Sequence, residues 1–185
     1  MMYFCGMVTK SKNIEILVPS FDGTNVIGIN STLVDYKLAW SLNSKLSLDL
    51  TRKDDFEQNA GIFPFYSYQA SKNCPVYNLV ANTCVDKTIL TLSPRVDFLF
   101  LIRNEQFPQR IDTILQKIRE IEGVGYAFLI EGQKQKMEQT LYSLEQHEVE
   151  IECKVKERNS IEYLKKDRQR REYYLGMRSD CPSMD

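Results

Sequence analysis

VDFLFLIRNEQFPQRIDTILQKIREIEGVGYAFLIE, residues 96 to 131, changes its hydrophobic rhythm twice. The run at 96 to 102 is apolar throughout and of strand length, as expected of a strand covered on both faces. From 108 to 122 the spacing becomes helical: Ile111, Ile114, Leu115, Ile118 and Ile121 recur at i, i+3, i+4 and i+7, Pro108 suits the first turn, and Gly123 suits the position just past the last. VGYAFLIE then returns to a strand pattern. Strand, amphipathic helix, tight turn and strand make half of a ferredoxin-like unit, an arrangement also used by small ligand-sensing regulatory domains of the ACT type.

Upstream, GINSTLVDYKLAWSLN at 28 to 43 reads as a strand running into a helix. Thr32 and Asp35 stand three apart, the spacing of a capping box, which gives Asp35 a structural role, with a ligand or partner contact as its other candidate role. Val34, Leu38, Leu42 and Leu46 form one face, and Leu33, Tyr36 and Trp40 widen it, so Trp40, the chain's single tryptophan, is assigned to the core. TRKDDFEQ at 51 to 58 is a polar connection without the spacing of a calcium loop. From 62 to 103, aromatic and β-branched runs broken by polar turns predict an antiparallel meander. Its Phe63, Phe65, Tyr66 and Tyr68 lack the interleaved basic residues of an RNA-stacking sheet and are read as core.

Downstream, residues 134 to 146 look helical through Met137, Leu141 and Leu144. EVEIECKVKE at 148 to 157 alternates strictly, with Val149, Ile151, Cys153 and Val155 on one side, and predicts an edge strand able to pair across a homodimer. A basic helix follows. Between 154 and 178 nine Lys or Arg face four Asp or Glu, net +5, leaving −6 for the remainder of a chain whose total is −1. Lys165, Lys166, Arg168, Arg170 and Arg171 are its candidate contacts to phosphate or to an acidic partner. The interspersed acids weaken that field, and nucleic acid is not the expected partner.

The fold expected is therefore α+β: a mixed, largely antiparallel sheet with helices packed on one face, a ferredoxin-like half at 96 to 131, and a projecting C-terminal helix. Residues 1 to 157 form one domain and 158 to 185 a basic extension. MMYFCGMV at the start is too short and lacks the flanks of a signal peptide, and no run is long enough to span a membrane. Five scattered cysteines suggest neither a disulfide framework nor a zinc knuckle, which fits a cytoplasmic protein. Phosphate-loop, dinucleotide, nucleophile-elbow and zinc-protease motifs are absent from the sequence, and one histidine, His147, limits imidazole chemistry. No cofactor or metal is expected. The function expected is non-enzymatic, through protein contacts, with small-ligand sensing as the alternative and weak RNA association after it.

Two stretches carry a resemblance. VIGINSTLVDYKLAWSLN, and LTLSPRVDFLFLI at 90 to 102 with Val96, Asp97 and Phe98 before an apolar strand, resemble the IPExxxVDY family of Bacteroidetes proteins over roughly residues 24 to 131. Leu90, Thr91 and Leu92 stand where that family has I-P-E, and Phe98 where it has tyrosine. The resemblance implies a bacterial cytoplasmic setting and no particular activity. Asp97 itself, at the mouth of a buried strand, is read as hydrogen-bonded within the sheet end, with a ligand contact as its other role.

Overall fold

The computed structural model describes residues 23–105, 109–131 and 134–179, apart from the side chains of 134–136 and 170–179. The opening MMYFCGMV, Cys5, Pro108, Cys181 and the side chains of Arg170 and Arg171 lie outside the described residues.

In chain order the elements are β1 (Asn25–Ser31), α1 (Asp35–Leu46), β2 (Thr51–Arg52), β3 (Phe56–Gln58), β4 (Gly61–Phe63), β5 (Phe65–Gln69), β6 (Val76–Ala81), β7 (Thr83–Cys84), β8 (Lys87–Thr88), β9 (Phe98–Arg103), α2 (Gln109–Arg119), β10 (Val124–Leu129) and α3 (Lys134–Ser179). Six strands form one sheet in the order β10-β1-β9-β6-β5-β2, and β3-β4 and β7-β8 are separate hairpins. Because β1 is antiparallel to both β9 and β10, those two run parallel with β1 between them, and α2 is their crossover. This is the ferredoxin-like half expected from residues 96 to 131. The same logic makes β1 and β6 parallel across β9, so a second split unit containing α1 interleaves with the first.

Both faces of the sheet are covered, which is why Phe98 to Ile102 are buried in an unbroken row. Ile27, Ile29, Leu79, Phe100 and Ile102 meet Leu38 and Leu42 of α1 and Ile111 and Ile118 of α2. On the other face, Val26, Val80, Leu99 and Leu101 meet Phe56, Phe63 and Phe65 together with Met137, Leu141 and Leu144 of α3. The expected packing of helices on one face thus describes α1 and α2, and the first turns of α3 close the opposite side. Gly28 is required in β1, since a Cβ there would stand 2.8 Å from Val96 Cγ1. Gly123 ends the α2 turn at φ +92°, the left-handed position predicted for it.

Three expectations are corrected. Residues 148 to 157 are not a strand: α3 is one helix of 46 residues that runs straight through them. Two periods coexist there, and the helical one wins because Met137, Leu141, Leu144, Glu148 and Ile151 continue a 3–4 spacing against the sheet. Glu148 lies on that seam, where the largely buried guanidinium of Arg103 pairs with it. A homodimer paired through a strand at 148–156 falls with the strand. Secondly, Thr32 and Asp35 form no capping box: the helix N-cap is Val34, without a side-chain cap bond, and Asp35 is already in the first turn. Thirdly, Trp40 is not core, being 72 % exposed.

Candidate functional site

Two acids picked out in the sequence, Asp97 and Asp35, hold the short connection from β1 into α1. Asp97 Oδ2 accepts from the Asn30 amide at 2.7 Å and from the Ser31 backbone N–H at 3.1 Å, while Arg95 Nε lies 3.6 Å from Oδ1. The Ser31 hydroxyl and the Thr32 backbone N–H both donate to the Gly123 carbonyl at 2.9 Å, tying this connection to the α2–β10 turn. Asp35 Oδ2 accepts from Arg52 Nη1 at 2.7 Å and from the Tyr66 hydroxyl at 2.9 Å. Burial pushes the Tyr66 phenol up, the neighbouring Asp35 charge adds to it, and Arg52 works against the rise. Arg52 is itself pushed up, because its bonds to Tyr66 and Asp55 outweigh the burial that opposes its charge. Both carboxylates are thereby committed to the scaffold.

What they brace is an exposed apolar surface. Val34, Tyr36 and Trp40 are 49, 61 and 72 % exposed. Leu38 and Leu42 face the sheet, and residues two apart on a helix point to nearly opposite sides, so Tyr36 and Trp40 are carried away from the core. Beside them runs a groove of about 670 Å³, with Trp40, Lys37 and Ser44 on the α1 side and Ile121 and Gly123 on the other. Its floor includes Leu33, and Lys45 at one end pairs with Glu120 at 3.6 Å. Sequence reasoning missed this surface, although a strict helical wheel carried the signal.

The remaining candidates are elsewhere. Lys165, Lys166 and Arg168 lie on the exposed part of α3, with Lys166 paired to Glu162 at 2.8 Å; Arg170 and Arg171 continue the same helix. His147 sits edge-on to Phe56 and Phe65, with Nε2 2.9 Å from the Asp54 carbonyl oxygen. A polar network under α3 was also unforeseen. Arg103 binds Glu148 and the Asn78 side-chain oxygen, the latter at 2.8 Å, and Glu148 accepts from Asn78 at 2.6 Å and Ser67 at 3.3 Å. Among the described residues no group of three or more His, Cys, Asp or Glu is placed to hold a metal ion. Nor, among them, is any helix long and apolar enough to cross a membrane.

The fold defines an α+β protein built on two interleaved split β-α-β units with an added long helix. No family model, curated protein or solved structure matches the chain.

Proposed function

We propose that this protein is a non-enzymatic binding module that acts through protein contacts, with the Tyr36–Trp40 face of α1 as its contact surface. The observation that carries the reading is the exposure of Trp40 at 72 % on a well-packed helix. Large aromatics that are left in water while the scaffold around them is braced are the residue type that dominates binding energy at protein interfaces. The groove beside Trp40 sets apolar Leu33, Trp40 and Ile121 among polar Lys37, Ser41, Ser44 and Glu122, so the partner it fits presents an apolar anchor with polar flanks.

The test compares the wild-type chain with Trp40→Ala in capture from a cell extract, with both proteins' melting followed in parallel. Trp40→Ala should melt as wild type and weaken capture of the partner by about thirtyfold, the effect of losing a hot-spot residue worth about 2 kcal/mol. The single tryptophan also reports directly. Its emission should be that of a water-exposed indole in the free protein and should shift to the blue on adding the captured partner. Undiminished capture by a stably folded Trp40→Ala protein would remove the proposal.

A further inference from the structure

A second cleft lies just past the C-terminal end of α1, and it differs in chemistry from the Trp40 groove. Tyr68 and Tyr77 are cross-strand partners in β5 and β6, with ring centroids 6.4 Å apart and planes inclined by 22°. Tyr77 stacks in turn on Phe100 of β9, at 6.1 Å and 20°. The result is a row of near-parallel rings across three strands, and the two tyrosines line a cleft of about 410 Å³. That volume is within the range of about 300–1,000 Å³ typical of small-molecule sites.

One wall is the end of α1, where Ser47 takes a left-handed conformation (φ 56°) and turns Leu46 and Leu48 toward the cleft. The other wall is α2, through Arg110, Thr113, Ile114 and Lys117, which at i, i+3, i+4 and i+7 make one stripe of the helix. Two cations and no carboxylate line the cleft. Arg110 is partly engaged, its Nη1 standing 3.8 Å from Glu105, which leaves Lys117 as the cation best placed to receive a new anion. The Tyr77 hydroxyl stays protonated well past neutral pH, pushed up first by burial and then by Glu105, and so remains a donor.

From an aromatic floor, the apolar Leu46, Leu48 and Ile114 beside it and a cationic rim we infer that this cleft binds a small aromatic carboxylate, its ring against Tyr68 and Tyr77 and its carboxylate at Lys117. The site is separate from the protein-contact surface, and the two proposals fail independently.

Calorimetric titration with indole-3-acetate, neutral indole-3-acetamide and cationic tryptamine tests it on the full chain. The acid should bind at least about tenfold tighter than the amide, the worth of one hydrogen bond to a charged group, and tryptamine should bind weakest. Lys117→Glu, a change at an exposed position, should bring the acid down to the level of the amide and leave the amide unchanged. Trp40→Ala should alter none of the three. The inference is overturned if the acid does not bind, if acid and amide bind alike, or if Lys117→Glu leaves the preference for the acid intact.

Discussion

At the scale of single residues, Trp40 and Tyr66 show how one aromatic can be surface and another scaffold on the same side of the sheet. Trp40 is two positions from Leu38, about 200° around the helix, so burying Leu38 exposes it. Trp40→Ala should therefore change unfolding free energy by no more than about 0.5 kcal/mol in chemical denaturation, the usual limit for surface substitutions. A loss of several kcal/mol would mean that its ring is packed after all. Tyr66 is 6 % exposed and bonded to Asp35 and Arg52. Its phenol, like that of Tyr77, is raised above the ordinary value of 10.0 in the folded chain. Above that pH the unfolded chain has lost protons that the folded chain still holds, so stability present at neutral pH falls as pH rises further. Alkaline titration followed by circular dichroism should show this loss, and Tyr66→Phe should make it shallower. The aromatic content was legible in the sequence, whereas the surroundings that divide these residues were not: a helix whose flank lacks a neighbour leaves large side chains in water, and pattern alone does not record the neighbour.

At the scale of elements, α2 and α3 behave differently under the same rules. The α2 pattern is unambiguous, because its apolar positions fit only a helix and both its end signals agree, and the structure places Gln109–Arg119 there. Residues 148 to 157 fit two periods, and the choice falls to a long-range contact. Glu148 brings a charge to the seam where α3 meets the sheet, and Arg103, on β9, is buried to 13 % exposure by the same contact. Glu145 adds a weaker partner at 3.6 Å. Glu148→Ala should leave the guanidinium without its main counterion and destabilise the fold by about 3 kcal/mol, the low end for a broken buried pair, since Glu148 keeps some contact with water. Pairing Arg103→Met with Glu148→Leu should recover most of the loss. Denaturant midpoints of the two variants and the wild type check this, and a Glu148→Ala protein as stable as wild type would show that the network does not hold α3 down.

At the scale of the whole molecule, the buried core among the described residues ends before residue 152, after which the described side chains of α3 are almost all exposed. Val155, Ile161, Tyr163 and Leu164 are 46 to 71 % exposed and spread around the helix instead of forming a seam. Truncation after Arg158 should leave the melting transition where it is and remove only helical signal. RNA binding through Lys165, Lys166, Arg168, Arg170 and Arg171 should be weak or absent, and any that exists should disappear with the truncation and fall with salt by about 0.7 to 0.9 log units per log unit for each phosphate contact. The sequence by itself determined the α+β class, the antiparallel run now seen as β5, β6 and β9, and the strand-helix-strand unit at 96 to 131, because each rests on a local period, and it determined the solvated basic helix because that stretch has no apolar stripe. Only the tertiary structure decided that β1 sits between β9 and β10, that α3 closes the second face and stays helical through 157, and that Trp40 faces water while Glu148 turns to Arg103. Those outcomes depend on which distant surfaces meet, and an exposed tryptophan or a half-buried, paired glutamate looks the same in sequence until its neighbour is known.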